Sequence, residues 1–369
     1  MISVFGSDID NQEIEAAVKC LRSQWLGFGK SVNEFEQAFV SYFNIPNCLM
    51  VDSGSNALYM AVKLLDLSPG DEVIIPSFTW VSCAQAVLLS GCVPIFCDVD
   101  PITMNVRLED IEKCISSKTG AIMVVHYAGL PVEMEPILEL GYPIIEDAAH
   151  AVDAKYKGKS CGSIGDIGIY SFDAVKNLTA GEGGAITTSR KKYYDRAKNL
   201  RYCGIGKSGF EAAISNDKQS CWWEYEITEP FIKMLPTNLA ASIAKVQLNR
   251  LDKLQQRRQQ IWTAYDDAFK DISEILIPAK ANRNDKHGLF TYCIQVPKRN
   301  LLAKALLDVN IYTTLRYHPL HMNPIYGQMN KKLPNSEVLN KNALSIPLHP
   351  RLSDSDVNFV IEEIRNFFL

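Results

Sequence analysis

Between residues 72 and 146 the chain repeats one arrangement. Four short, almost wholly apolar runs (72–76, 93–98, 121–127 and 143–146) alternate with segments whose apolar residues fall at helical spacing (81–90, 107–115 and 134–140). A strand with one solvated face alternates apolar and polar residues, so runs that are apolar throughout need cover on both faces. The helices between them supply that cover, which predicts an α/β chain with a mostly parallel central sheet sandwiched by helices. At 369 residues the chain exceeds one ordinary core, and its length predicts about two domains. Open sheets of this kind bind ligands in the crevice outside the carboxyl ends of their strands. The polar residues that end the apolar runs are therefore the candidates for chemistry: Ser53 after the short buried run 48–51, residues 77–80, His126 and Tyr127, and residues 147–150.

Residues 52–57, Asp-Ser-Gly-Ser-Asn-Ala, open a helix expected over 56–65. Free N–H groups, hydroxyls and the positive end of the helix dipole can together hold an anion such as a phosphate. The same Ser53 and Ser55 also serve simply as helix caps. Asp147 closes a buried run, and a carboxylate there needs a cationic or hydrogen-bonding partner, of which a protonated ring nitrogen is one. Trp80 offers a face for an aromatic ring, unless it belongs to the core, and His150 can hydrogen-bond a ring substituent. Residues 165–188 put a single lysine, Lys176, in a Ser-, Asn-, Thr- and Gly-rich turn between β-type runs at 167–172 and 185–188. Such a residue is either a site group positioned by its flanking strands or a solvated surface amine. In chain order these residues name an anion site, a stacking face, a buried carboxylate and an amine.

The rest of the chain frames this constellation. Helical spacing marks 11–21, with Ile14, Val18 and Leu21, and a second helix carrying Val32, Phe35, Phe39 and Tyr42. Trp25 and Phe28, in the Gly-rich loop between them, are expected to pack. A basic helix is expected at 193–202, a Gly- and Ser-rich surface loop at 205–220, and one long helical segment at 239–269. A strand at 292–296, a helix at 301–307, an aromatic and histidine-rich segment at 312–321 and a last helix at 354–368 form a smaller carboxyl-terminal unit, so domains are expected at 1–250 and 251–369. Net charge is −4 with a pI near 5.9, which offers no attraction to nucleic acid or an anionic membrane. No run is long enough to span a bilayer, and the amino terminus does not read as a signal peptide. The ten cysteines are scattered without metal-type spacing, so reduced thiols, no metal and a cytoplasmic location are expected. No G-x-G-x-x-G opens a helix after the first strand, which argues against a nicotinamide oxidoreductase.

An amine, a carboxylate for a pyridinium nitrogen, an aromatic face and a phosphate cup are what pyridoxal 5′-phosphate requires. The chain resembles the fold type I pyridoxal-phosphate enzymes and, within them, the DegT/DnrJ/EryC1/StrS family of nucleotide-sugar aminotransferases. The motifs that carry the likeness run in order from W-L-G-F-G at 25–29 through S-G-S-N-A-L at 53–58, P-S-F-T-W at 76–80, H-Y-A-G at 126–129, E-D-A-A-H-A at 146–151 and S-F-D-A-V-K-N-L-T-A-G-E-G-G at 171–184 to R-Y-H-P-L-H at 316–321. The resemblance implies that Lys176 bonds the cofactor and then shuttles the proton. It implies that Asp147 pairs with the pyridine nitrogen, Trp80 stacks on the ring and His150, where relatives often carry Gln, neighbours the ring oxygen. Gly54, Ser55, Asn56 and Ser171 are implied to hold the phosphate. Lys233 is the candidate to reach the partner subunit's phosphate in a homodimer, although the family's surrounding Gly and Tyr are missing at 231–234. Arg316, His318 and His321 are implied on the substrate side. Lysine rather than histidine at 176 implies transamination, with L-glutamate as donor and a dTDP-linked 4-keto-6-deoxyglucose as acceptor, giving the 4-amino-4,6-dideoxy sugar used in O-antigen and similar glycans. A 3-keto sugar or a UDP or GDP carrier is the alternative substrate, and a non-catalytic, cofactor-binding relative is the alternative class.

Overall fold

The computed structural model describes residues 1–206 and 223–368. The expected surface loop lies largely outside these residues, as does Cys221. Among the described residues seven strands form one sheet in the order β1 (Cys48–Val51), β9 (Gly184–Thr187), β8 (Ile167–Ser171), β5 (Ile144–Asp147), β4 (Thr119–Val125), β2 (Glu72–Pro76), β3 (Val93–Cys97), with the short pair β6 (Lys155–Tyr156) and β7 (Lys159–Ser160) outside it. Only β9 runs against its neighbours; the other pairings are parallel.

Successive residues of a strand face opposite ways, and here both faces are buried. Ile122 and Val124 of β4 enter one core, while Ala121, Met123 and Val125 enter the other. The first core is closed by α2 (Lys30–Phe43), α5 (Leu108–Glu112), α6 (Met134–Leu138) and α8 (Asn238–Asn249), the second by α3 (Gly54–Leu64), α4 (Ser82–Leu89) and α7 (Lys191–Arg201). The sandwich predicted from uninterrupted apolar runs is the one observed. A third core, on the carboxyl-terminal side, gathers its buried residues from α9 (Leu251–Phe269), β10 (Tyr292–Gln295), α10 (Arg299–Asp308), β11 (Ala343–Ile346) and α12 (Asp354–Phe368). Among the described residues, none of its buried members precedes residue 261, while Leu251, Cys293, Leu339 and Ala343 belong to the first core.

Aromatic packing fixes the strand that leads to Lys176. Phe35 of α2 meets Phe172 edge-on at 5.2 Å, and Phe39 meets Tyr170 at 5.0 Å. Each such pair contributes about 0.5–1.5 kcal/mol beyond its burial, so α2 holds the end of β8 in place.

Two expectations, one long helical segment over 239–269 and a packed Trp25, require correction. The segment 239–269 is two helices, with Arg250, a turn residue, as the joint that caps both. The Arg250 guanidinium is drawn to Asp8, Asp10 and Glu13. In α1 (Asn11–Arg22) the apolar stripe Ile14, Val18, Leu21 faces outward. The inward face instead carries Glu13, which is buried and accepts from Gln247 (2.7 Å) and Arg250 (2.6 Å). Trp25 is exposed as well, its indole N–H given to the Phe28 carbonyl at 2.8 Å.

Candidate active site

Because β1, β2, β4, β5 and β8 point the same way, their carboxyl ends meet along one edge, and a cavity of about 490 Å³ opens there. Its wall includes Ser53 to Ser55 after β1, Thr79, Trp80 and Ser82 after β2, Asp147 and His150 after β5, and Ser171 and Lys176 after β8. Residues as far apart in the chain as Ser53 and Lys176 thus share one wall for the topological reason expected of such sheets. Another cavity, of about 650 Å³, lies between α9 and the 279–289 segment and contains none of the predicted residues.

The start of α3 is built for an anion. Ser53 caps the helix, its Oγ accepting from the Asn56 N–H at 3.2 Å, so the capping role is realised. Gly54 lies against Ser171: a Cβ added at Gly54 would stand 2.8 Å from the Ser171 Cβ. Only glycine lets β8 approach the helix end this closely. The Ser55 and Ser82 hydroxyls are 2.7 Å apart, and together with Ser171 they surround the positive end of an eleven-residue helix. Asn56 is turned away, its Nδ2 donating to Asp52 Oδ1 at 2.8 Å, and it does not line the cavity.

Asp147 is buried with two weak partners, the Cys83 thiol donating to Oδ2 at 3.2 Å and the Ala149 N–H donating to Oδ1 at 2.9 Å. Burial pushes its carboxyl above the usual carboxylate range. Among the described residues no cation pairs with it, so the carboxylate calls for one from a ligand. Across the cavity the Lys176 Nζ stands 4.6 Å from the centre of the Phe290 ring. Burial, aided by the Arg316 charge, pushes its amine down to about 8.

His150 is buried, stacked on Phe290 at 4.1 Å with its Nε2 3.0 Å from the Tyr317 hydroxyl. Burial first, then the nearby Lys176 and Arg316 charges, hold it well below the usual histidine range, so the ring is neutral. Nδ1 is a buried atom without a partner, and it carries the ring proton in the tautomer in which Tyr317 donates to Nε2. Trp80 is 53% exposed and 5.4 Å from Tyr317; it is a wall residue with a free face, not core.

The substrate-side residues divide. Arg316 lines the cavity. His318 is exposed, with Nδ1 3.0 Å from Asn340 Oδ1, outside the cavity lining. His321 is 1% exposed and bonds the Ser77 hydroxyl at 2.7 Å, while the Leu320 N–H donates to the Ser77 carbonyl at 2.8 Å. That histidine secures the 319–322 segment to the end of β2, because a buried imidazole must find a partner, and it is not on the cavity wall. Lys233 is exposed and pairs its backbone with Tyr202, outside its own chain's cavity. His126 and Tyr127 are likewise core residues. The Val132 N–H donates to His126 Nδ1 at 3.0 Å, and Nε2 donates to Glu146 at 3.0 Å. Glu146 further accepts from the N–H groups of Gly162 (2.8 Å), Ile164 (2.5 Å) and Gly165 (2.5 Å).

Phe5 carried no mark in the sequence and reaches the cavity by tertiary folding alone, while Tyr312, Thr314 and Tyr317, within the aromatic segment 312–321, were not named individually. Ser82 and Cys83 were findable, since they follow directly on the 76–80 turn at a strand end.

Taken as a donor set, these groups fit pyridoxal 5′-phosphate. The hydroxyl-ringed helix end suits its phosphate, the unpaired Asp147 its ring nitrogen, the orphaned His150 Nδ1 its ring oxygen and the depressed amine of Lys176 its aldehyde. No group of three or more His, Cys, Asp or Glu side chains that could hold a metal ion occurs among the described residues.

Comparison with known proteins agrees. The DegT/DnrJ/EryC1/StrS aminotransferase family profile matches residues 7–365. A dTDP-4-dehydro-2,3,6-trideoxy-D-glucose 4-aminotransferase from Saccharopolyspora spinosa is 34% identical over 374 residues, covering 99% of this chain and 96% of its own. The crystal structure of the aminotransferase TlmJ from Streptoalloteichus hindustanus, 34% identical, superimposes with a TM-score of 0.93 over 99% of this chain and 98% of that one. A putative sugar aminotransferase, Spr1654 of Streptococcus pneumoniae, solved in its PLP form, is 28% identical with a TM-score of 0.89, covering 98% and 97% of the two chains. The chain belongs to the DegT/DnrJ/EryC1/StrS aminotransferase family and is an enzyme that moves an amino group with pyridoxal 5′-phosphate as its cofactor.

Proposed function

We propose that the protein transfers the amino group of L-glutamate to the keto carbon of a nucleotide-linked deoxy sugar, with dTDP-4-dehydro-6-deoxy-D-glucose as acceptor and dTDP-4-amino-4,6-dideoxy-D-glucose as product. The observation that carries this reading is the placement of a depressed amine, Lys176, opposite an unpaired buried carboxylate, Asp147, in one cavity with a serine-ringed helix end. The cofactor, when bound, supplies an electron sink for the pair left as a proton leaves the carbon bearing nitrogen.

The chain's own residues do the rest. Asp147 keeps the ring nitrogen protonated, and His150 donates from Nδ1 to the ring oxygen. Trp80 stacks on the ring. The start of α3, Gly54 and Ser55, holds the phosphate with Ser171; Asn56 serves indirectly, by bracing Asp52. Lys176 would move a proton between the substrate carbon and cofactor C4′, away from the donor carbon in one half-reaction and onto the sugar carbon in the other, a shuttle that needs an amine titrating near neutral pH. Arg316 belongs to the substrate side.

Lys233 acts in the partner's cavity within a homodimer. The outward stripe Ile14, Val18 and Leu21, with Trp25 and Ile232 also exposed, supplies an apolar surface that dimerisation would cover. The dTDP carrier and the C4 position find support in the Saccharopolyspora relative's activity. Amination at C3, or a UDP or GDP carrier, would use the same residues. The free thiols, largely buried, suit a reducing, cytoplasmic setting.

The test is a pair of half-reactions. Addition of L-glutamate should abolish the visible absorption of the lysine-bound cofactor. A panel of nucleotide keto sugars should then restore it, fastest with the dTDP-4-keto sugar. A Lys176→Ala protein that still processed glutamate would sink the mechanism.

A further inference from the structure

Cys83 lies in the first turn of α4 and is fully buried. A buried thiol ordinarily packs as a small hydrophobe or leans on a backbone carbonyl. Cys97, Cys114 and Cys92 do the latter, reaching the carbonyls of Ile75 (3.4 Å), Phe96 (3.6 Å) and Ser68 (3.8 Å). Cys83 differs: its S–H donates to Asp147 Oδ2 at 3.2 Å, and no other thiol donates to a carboxylate among the described residues. The Thr79 hydroxyl, itself 1% exposed, stands 3.6 Å from the same sulfur. With the S–H committed to the carboxylate, the hydroxyl is the donor of that contact, and the three groups form a one-way chain from Thr79 through Cys83 to Asp147. Burial first, then the Asp147 charge, push the thiol well above its ordinary range, so it stays protonated and keeps a hydrogen to give.

This chain is the side-chain support of Asp147 among the described residues. Oδ1 takes the Ala149 N–H at 2.9 Å, and Oδ2 takes the thiol. The other titratable groups that face the carboxyl, Lys176, His126 and the Tyr317 hydroxyl, act on it through space. A hydrogen bond to the charged form of an acid lowers its basicity, and a stronger donor lowers it further. A hydroxyl at this place is a short, strong donor to a carboxylate, whereas a thiol is a weak one. Sulfur therefore orients the carboxylate while drawing off little of its charge, and that charge is what a protonated ring nitrogen needs opposite it.

We propose that Cys83, backed by Thr79, is a positioning residue for the reaction: its thiol fixes Asp147 toward the cavity and, as a weak donor, leaves the carboxylate basic enough to keep the cofactor's ring nitrogen protonated. Cys83 does not line the cavity, so it acts through the carboxylate. This rests on the pairing of Asp147 with that nitrogen.

The experiment follows two infrared bands and one rate in the full chain. The S–H stretch of Cys83 is the band lost in both Cys83→Ser and Cys83→Ala. It should move to higher frequency in Asp147→Asn, because a neutral amide is a weaker acceptor than a carboxylate, and also in Thr79→Val. The carboxyl band of Asp147, identified against Asp147→Asn, gives its titration midpoint in the cofactor-free protein. Cys83→Ser should lower that midpoint by about 0.5–1 pH unit and Cys83→Ala should raise it by about as much, with Thr79→Val between Cys83→Ala and the wild type. A packing role alone does not produce opposite signs, since serine and alanine both shrink the side chain. With cofactor bound, Cys83→Ser should slow the glutamate half-reaction about 3- to 10-fold in kcat and leave KM within about twofold. If one Cys83 variant does not fold, the other and Thr79→Val carry the test through the sign of the midpoint change. An S–H band indifferent to Asp147→Asn, or a midpoint that moves the same way in Cys83→Ser and Cys83→Ala, would overturn the inference. If instead Asp147→Asn keeps the wild-type half-reaction rate while the band shifts stand, it is the pairing of Asp147 with the ring nitrogen that falls.

Discussion

Replacing Lys176 by methionine should stabilise the cofactor-free protein at neutral pH. The wild-type amine titrates at about 8 in the fold and at about 10.4 in an unfolded chain. Below pH 8 it is therefore charged in both states, but in the folded state its charge is held where burial and Arg316 disfavour it. A gap of this size corresponds to a penalty on the order of 3 kcal/mol. Between pH 8 and about 10.5 the unfolded state binds more protons than the folded one, so stability rises with pH across that window and the penalty disappears above it. Methionine has a similar length and no charge, so it removes the penalty and should raise stability by about 2–3 kcal/mol at pH 7. The advantage should fade as pH rises from 8 to 10.5. Urea unfolding of both proteins at a series of pH values, compared as differences at each pH, isolates the lysine. A difference that was independent of pH, or that favoured the wild type at pH 7, would refute the claim that Lys176 is held near 8 by its surroundings. The same shift leaves about a tenth of the amine unprotonated at pH 7, which is what allows Lys176 to act without an added base.

Further expectations concern the other walls of the cavity. Asp147→Asn removes the only charge offered to the ring nitrogen and should slow the glutamate half-reaction at least about 100-fold, with cofactor still bound by absorbance. Gly54→Ala places a methyl 2.8 Å from the Ser171 Cβ; either the helix start or β8 must move, and affinity for the cofactor or for inorganic phosphate should fall about tenfold or more. His321→Ala should lower the unfolding free energy by about 2 kcal/mol through loss of its Ser77 bond and its packing, while leaving KM for both substrates within about twofold. A large KM effect without loss of stability would return His321 to the substrate side.

What could be read from the sequence was what periodicity and strand ends encode. Uninterrupted apolar runs gave the doubly covered sheet, and the rule that ligands bind beyond strand termini singled out Ser53, Trp80, Asp147 and His150 before any coordinates. What could not be read depended on distant partners. Nothing between 239 and 269 breaks a helix by propensity; Arg250 does so beside three carboxylates from the amino-terminal segment. The facing of the α1 stripe could not be read either, because a buried carboxylate, Glu13, decides which side of that helix turns inward. Phe5 carries no local signal at all, and its place over Arg316 follows only from anchors near residues 310, 348 and 174. His318 and His321 shared a motif with Arg316, yet motif membership could not distinguish a wall residue from one bonded to Ser77.

Glu146 and Asp147 are adjacent, and because neighbouring residues of a strand point to opposite sides, one grips the 162–165 turn and His126 while the other faces the cavity. If β5 slid by one residue, the two carboxylates would exchange sides. Three backbone N–H groups and a buried imidazole would then lose their acceptor at once. The pair thus works as a detent: the anchored carboxylate makes every register but one unfavourable, so the reactive carboxylate keeps its depth in the cavity without bonds of its own strong enough to hold it there.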